Sequence, residues 1–297
     1  MSLHPAEALQ LPVRGGTLHV GRWGSGSPAV LAVHGITATH LAWGQVVRSL
    51  TGMSVLAPDL RGRGRSATLP GPYGFEAHVA DLVALLDAAG HQRAVVVGHS
   101  MGGFVAVALA ASHPERVSRL VLVDGGLPTA RPEDRGPAGG IDAVLGPAAA
   151  RLAMTFQSRA AYRELWRAHP AIGPIWGPAV QAYVDYDLVG EAPQLRSSCR
   201  QEAMRTDGAE VVDHAATTST MARVSTPTTF LRAEGGLLDA PPALYPEESL
   251  ARWGTGTPVV EARTVPGTNH YSILLAEPGA AAVAAAVTAA VDARPAS

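Results

Sequence analysis

Residues 93–102 read Arg-Ala-Val-Val-Val-Gly-His-Ser-Met-Gly. The β-branched run closed by glycine has the composition of a buried strand. Met101–Ser112, which follows, is an uncharged apolar stretch that stops short of Pro114, as a helix would. Between them, Gly98-His99-Ser100-Met101-Gly102 satisfies G-x-S-x-G in the strand–turn–helix setting where that pattern has a mechanism. A serine on so tight a turn stands clear of the sheet with its hydroxyl exposed, and the glycines let neighbouring backbone approach closely. Ser100 is therefore the candidate nucleophile.

Working outward, the same alternation of short apolar runs and helical stretches recurs. Ala29–Val33, Ser54–Ala57, Leu120–Val123, Thr228–Leu231 and Val259–Val265 read as strands. Phe75–Ala89 has helical spacing and ends at Gly90, and Pro278–Asp292 reads as the last helix. Continuous apolar strands separated by helices predict an α/β fold, a parallel sheet covered on both faces. From Leu127 to about Arg223 the pattern changes to helical stretches near 141–154, 159–168 and 177–188, with no clear strand. That segment reads as a helical insertion, and its Trp166, Trp176, Tyr183 and Tyr186 are candidates to line a pocket.

Serine attacks only when a base takes its proton. The base is expected late in the chain, and Val265-Pro-Gly-Thr-Asn-His270 supplies a strand, a turn and a histidine ahead of the final helix. His34-Gly35-Ile36 follows the first strong strand and can bring the Ile36 N–H beside the nucleophile. The N–H of Met101 is the second candidate oxyanion donor. His4, His19, His91 and His113 read as surface or loop residues, and His99 is expected to point inward.

Composition removes other chemistries. All 23 cationic Lys/Arg positions are arginine, so no lysine Schiff base, P-loop lysine or kinase lysine is available. A net charge of −2 gives no general electrostatic grip on nucleic acid or on an anionic membrane. No apolar stretch reaches the roughly 18 residues of a membrane span. The N-terminus lacks the layout of a secretory signal, so a cytoplasmic location is expected. The single Cys199 reads as packing rather than as a nucleophile. No metal-ligand spacing and no dinucleotide fingerprint is present, so no metal and no cofactor is expected.

The ordered set of His34-Gly35, Asp59-Leu-Arg-Gly-Arg-Gly-Arg-Ser66, Gly98–Gly102, Arg119-Leu-Val-Leu-Val-Asp124 and Asn269-His270 resembles the α/β-hydrolase superfamily over roughly residues 15–290. The resemblance implies a mostly parallel sheet of about eight strands and a nucleophile–acid–histidine triad. It also implies a cap inserted after the sixth strand, giving a core of residues 1–126 and 224–297 and a cap of 127–223. The Asp59–Ser66 loop reads as structural, its arginines pairing with local carboxylates. The family's acid usually follows the seventh strand, where Asp239 is the preferred candidate if Gly235-Gly236 is a short insertion; Glu234 falls slightly early. Some branches place the acid after the sixth strand, where Asp124 stands.

These residues together predict a serine hydrolase of carboxylic esters, lactones included, working through an acyl-enzyme. Serine at the elbow argues against the dehalogenase and epoxide-hydrolase branches, which place aspartate there. Trp43, Trp166, Trp176 and Tyr183 are the candidate substrate-binding residues and suggest a small apolar or aromatic ester as the partner. Carbon–carbon bond hydrolysis, cofactor-free perhydrolysis and a non-catalytic ligand-binding role on the same fold remain the alternatives.

Overall fold

The computed structural model describes residues 2–128, 141–247 and 259–293. Strands β1 (Glu7–Val13), β2 (Gly16–Trp23), β3 (Ala29–Val33), β4 (Ser54–Pro58), β5 (Ala94–His99) and β6 (Val117–Val123) precede the insertion. β7 (Leu188–Val189) and β8 (Arg196–Ser197) lie within it, and β9 (Thr228–Ala233) and β10 (Val259–Val265) follow it. The main sheet has eight strands in the order β1-β2-β4-β3-β5-β6-β9-β10. β1 pairs with β2, and β2 with β4, antiparallel; every other pair in it is parallel. The protein is thus an α/β fold with a mostly parallel sheet flanked by helices.

The period-two geometry of a strand divides each apolar run between two cores. Val30, Ala32, Val95, Val97, Val121 and Val123 face one side. They meet helices α1 (Gly44–Val47), α9 (Ser272–Leu275) and α10 (Gly279–Asp292) there. Leu31, Val33, Val96, Leu120 and Leu122 face the other, against α2 (Phe75–Ala88) and α3 (Met101–Ser112). Uninterrupted apolar strands are what burial on both faces requires.

Between β6 and β9 run α4 (Ile141–Ala153), α5 (Arg159–Arg167), α6 (Pro178–Asp187), α7 (Gln201–Val212) and α8 (His214–Met221). Residues 129–140 of the expected insertion lie outside the described residues. Two findings differ from the sequence reading. The insertion contains the small antiparallel pair β7–β8, each strand two residues long. α8 packs beside the sheet, its Met221 joining the core formed with α2 and α3.

Candidate active site

Four loops converge at the carboxyl ends of parallel strands, the usual place for a site in an open α/β sheet. Ser100 follows β5 with φ 53° and ψ −125°. That left-handed conformation is one a serine holds only under constraint. The constraint is visible: Ser100 N–H donates to the Val123 carbonyl (3.0 Å), and Gly103 N–H donates to the Ser100 carbonyl (2.9 Å). A side chain at Gly98 would collide with the backbone of Gly102, and one at Gly102 with the carbonyls of Val33 and His34. Ser100 is half-exposed while its neighbours His99 and Met101 are buried.

His270 is 4% exposed, and its Nδ1 lies 2.7 Å from Asp124 Oδ2. Asp124 directly follows β6 and is 1% exposed. Its other oxygen accepts the N–H of Ala233 at the end of β9 (3.1 Å), and its own N–H donates to the Leu231 carbonyl (2.7 Å). Asp124 is therefore fixed against β9, by its main chain and by its carboxylate, where it meets the imidazole. The preference for Asp239 is corrected here. Asp239 is exposed, and its Oδ1 accepts from Asn269 Nδ2 (3.1 Å) instead of from the His270 ring. Asn269 also donates to the Ala171 carbonyl (3.1 Å) and accepts the N–H groups of Tyr271 and Ser272, both at 2.9 Å. Asp239 thus buttresses the turn that carries His270. Glu234 is exposed and accepts the Gly267 N–H (2.8 Å), so it too serves the turn and not the ring.

His99 points inward as expected. Its Nε2 donates to the His270 carbonyl (2.8 Å), and the two rings lie 4.6 Å apart between centroids. Burial, followed by the proximity of His270, holds its pKa well below the ordinary histidine value. A neutral His99 places no positive charge against the His270 ring.

Met101 is the first residue of α3, so its N–H has no acceptor within the helix. Ile36 sits in the loop after β3, and Gly35 beside it lets that loop close on Ser100, because a Cβ at Gly35 would lie 3.2 Å from the Ser100 Cβ. One residue that shapes this loop was not singled out in the sequence. Arg63 is fully buried and donates from Nε to the Ile36 carbonyl (2.9 Å) and from Nη1 to the Arg61 carbonyl (2.9 Å). Its Nη1 also pairs with Asp207 of α7 at 2.5 Å, and Asp207 binds His78 Nε2 at 3.0 Å. The only forewarning was an arginine-rich loop in a chain without lysine.

The candidate pocket residues divide. Trp43 is 1% exposed and belongs to the core with Val46 and Val47, so the expectation that it binds substrate is corrected: it has no free face. Trp166 and Tyr183 are nearly buried in the insertion, Trp176 is half-buried under the Arg167 guanidinium (4.7 Å), and Tyr186 donates its hydroxyl to Asp59 (2.7 Å). The Cys199 thiol is buried, and burial pushes its pKa up to about 11, so it is protonated at neutral pH. A cavity of about 920 Å³ lies among α2, α3 and α8 and is lined by Phe75, Val79, Val83, Phe104 and Val107; neither Ser100 nor His270 lines it.

His19 is corrected as well: it is buried within β2, its Nδ1 accepting from Gln10 Nε2 (2.7 Å). With His40 and Asp59 it brings three potential metal-ligand atoms within 4.8 Å. The Asp59 carboxylate, however, already takes four donors. These are the His40 N–H (2.9 Å), His40 Nδ1 (2.8 Å), the Arg65 N–H (2.8 Å) and the Tyr186 hydroxyl (2.7 Å). With its lone pairs taken, the cluster fits a hydrogen-bonded hub and not a metal cage.

With this geometry in hand, comparison with known proteins defines the family. The profile of the alpha/beta hydrolase fold matches residues 28–182, and the chain belongs to that family. Over 108 residues it is 46% identical to Lipase LipV of Mycobacterium tuberculosis, a stretch covering 36% of this chain and 41% of the relative. Over 104 residues it is 39% identical to the putative carbamate hydrolase RutD of Caulobacter segnis, covering 34% of this chain and 39% of that one. The aligned part is thus less than half of either relative. Among solved structures, E-2-(acetamidomethylene)succinate hydrolase superposes with a TM-score of 0.80 at 23% identity over 97% of this chain and 99% of that one, a likeness of fold. Among the described residues no helix is long and apolar enough to cross a membrane.

Proposed function

We propose that the protein is a serine hydrolase that cleaves carboxylic esters, lactones included, through an acyl-enzyme. The observation that carries this reading is the 2.7 Å contact between buried Asp124 and His270, beside a serine held at positive φ. Asp124 holds the imidazole with its proton on Nδ1, leaving Nε2 free to take the proton of Ser100. The Ser100 oxygen then adds to the ester carbonyl. The N–H groups of Ile36 and Met101 receive the negative charge that develops on the carbonyl oxygen. His270 gives its proton to the leaving alcohol, and a water activated by the same ring releases the acid. No lysine, metal or cofactor takes part in any step. Trp166, Trp176 and Tyr183 are the side chains of the insertion to which we assign contact with an apolar or aromatic part of the substrate. Identity to a named lipase over part of the chain supports an ester as the substrate class.

A panel of p-nitrophenyl esters tests the reading. Wild-type turnover that disappears in Ser100→Ala, together with fluorophosphonate labelling of Ser100, is the expected result. Absence of both turnover and labelling in the wild type, or unchanged turnover in Ser100→Ala, would overturn it.

A further inference from the structure

The chain contains several buried arginines, and most have their donors occupied. Arg61 grips both oxygens of Asp81 through Nε (3.0 Å) and Nη2 (2.7 Å) and donates from Nη1 to the Pro70 carbonyl (2.6 Å). Arg63 is similarly engaged on Ile36, Arg61 and Asp207. Arg151 of α4 is different. It is 7% exposed, its guanidinium lies 4.8 Å from the centre of the Trp166 ring, and Nη1 makes both of its polar contacts. These are the Tyr162 hydroxyl at 2.8 Å and Asp187 Oδ2 at 3.2 Å. Among the described residues its Nη2 is buried without a hydrogen-bond partner.

Asp187 does not explain that free arm. Its Oδ1 accepts from the Ser197 hydroxyl (3.0 Å), the Ser198 hydroxyl (2.8 Å) and the Ser198 N–H (3.2 Å), and its Oδ2 accepts from Tyr162 (2.5 Å). A carboxylate that already serves four other donors meets Arg151 through one nitrogen. A purely structural arginine–carboxylate pair favours the two-pronged fork that Arg61 adopts. A buried guanidinium N–H left unpaired is costly, and a binding site for an anion is one setting that repays it.

The position of Arg151 points to the reaction centre. Its neighbour Leu152 packs with Cys199 and Met204, and Ile36 packs against that group; the Cys199 thiol lies 3.9 Å from the Ile36 carbonyl. On the other side a relay of rings leads to the base. Trp166 lies 5.9 Å from His169, His169 5.4 Å from Tyr271, and Tyr271 5.5 Å from His270, between centroids. The charge of Arg151 is felt at Cys199, His169 and Tyr271 alike. Arg151 thus lies between the Leu152–Cys199 group that Ile36 joins and, through Trp166, the ring relay that ends on His270.

We propose that Arg151 Nη2 is the anchor for a carboxylate carried by the substrate, so that this hydrolase acts on esters that bear a free acid group. The inference rests on the serine-hydrolase reading for the location of the scissile bond. It adds to that reading a charged group beside the aromatic side chains of the insertion. Tyr162 and Asp187 hold the guanidinium, Trp166 shields one of its faces, and the free arm pairs with the acid. In a chain without lysine, arginine is the side chain available for the task, and its planar fork suits a carboxylate.

Matched substrate pairs test this. One pair places the acid on the acyl side: mono-p-nitrophenyl glutarate against p-nitrophenyl valerate. The other places it on the leaving group: 4-(butyryloxy)benzoate against phenyl butyrate. Wild-type kcat/KM is expected to favour the charged member of one pair by about tenfold or more, the size of a charge-assisted hydrogen bond. In Arg151→Met the ratio of charged to neutral turnover should fall by about the same factor. A purely structural role for Arg151 would lower both members together and leave the ratio unchanged. As a measurement independent of turnover and of the Arg151 variant, calorimetry on Ser100→Ala should detect monomethyl glutarate and not dimethyl glutarate. That result with no wild-type turnover would sink the esterase reading and leave the anion site standing. No preference in either pair, or equal binding of the two glutarates, overturns the anion site.

Discussion

Replacing Asp124 by Asn tests the core of the site, and its consequence can be worked atom by atom. The Asp124 carboxylate has two neighbours: Oδ1 accepts the Ala233 N–H at 3.1 Å, and Oδ2 faces His270 Nδ1 at 2.7 Å. Asparagine keeps one acceptor and gains an NH₂ group. The Ala233 N–H is a main-chain donor that cannot turn away, so the amide oxygen must stay with it. The NH₂ group then faces His270, and Nδ1 is forced to accept. The ring proton moves to Nε2, the nitrogen that has to receive the Ser100 proton, and the base is blocked although hardly an atom has shifted. Loss of the triad carboxylate by this route lowers kcat by about 10⁴ in serine proteases, which is about 5.5 kcal/mol of barrier. We expect a fall of that order for Asp124→Asn on the best p-nitrophenyl ester, with an intact circular dichroism spectrum. Asp239→Asn is the control. Asparagine tolerates φ 57°, keeps an oxygen for Asn269 Nδ2 and sits at an exposed position, so kcat should stay within about threefold. An Asp124→Asn enzyme within tenfold of wild type, or an Asp239→Asn enzyme down by about 10³, would refute the assignment of the acid.

Other expectations follow from single contacts. Arg63→Met leaves the fully buried Asp207 carboxylate without its cation, which should cost about 3–5 kcal/mol in a urea melt, and adding Asp207→Asn should recover part of it. Ser100→Gly and Ser100→Ala both remove the nucleophile, but only glycine relaxes at φ 53°, so the glycine variant should be the more stable by about 1 kcal/mol; equal Tm values would mean that the elbow is unstrained. His34 accepts the Leu60 N–H at Nε2 (2.9 Å), lies 2.7 Å from the Gly35 carbonyl at Nδ1, and is pushed down to a pKa of about 3 by burial. The unfolded chain therefore takes up a proton below pH 6.5 that the native protein refuses until about pH 3. Stability should fall across that window by up to about 1.4 kcal/mol per pH unit from this residue, with a shallower slope in His34→Gln.

Much of the site was readable because its elements are local. The strand, elbow and helix around Ser100 occupy consecutive residues, and the turn bearing His270 follows a strand directly. Which carboxylate meets the His270 ring was not readable in that way. It depends on β6 and β9 being neighbours in the sheet, so that Ala233 and His270 close on Asp124 from positions 109 and 146 residues away. The Gly235-Gly236 pair also misled. The segment after β9 does carry an acid to the neighbourhood, but its hydrogen bond ends on Asn269, one residue short of the base. The β1–β2 hairpin was missed because the antiparallel edge strand β1 is only partly buried, and Glu7-Ala-Leu-Gln-Leu-Pro-Val13 shows no continuous apolar run. Trp43 and Arg151 exchanged expectations for the same reason. Burial and partner number are properties of packing, so a tryptophan that looked like pocket lining became core, and an unremarked arginine became the cation with a free arm.

The loop Asp59–Ser66 read as structural, and its contacts reach the proposed site. Arg63 holds the carbonyl of the residue whose N–H is the proposed oxyanion donor, and the same guanidinium pairs with Asp207 in the insertion. Gly64 N–H donates to the Ser198 hydroxyl (3.0 Å), the Gly62 carbonyl accepts the Arg200 N–H (2.9 Å), and Asp59 receives the Tyr186 hydroxyl. Four of the eight residues in the loop are thus bound to the segment between β6 and β9. Ser198 in turn donates to Asp187, the partner of Arg151. A displacement of the insertion by one bond length would reach the Ile36 carbonyl through Arg63 and the Arg151 guanidinium through Asp187. The proposed oxyanion donor and the proposed anion anchor are therefore referenced to one loop. A substitution there, such as Arg63→Met, should lower kcat and the charged-to-neutral substrate ratio together, whereas Arg151→Met should move the ratio further than it moves the turnover of neutral esters.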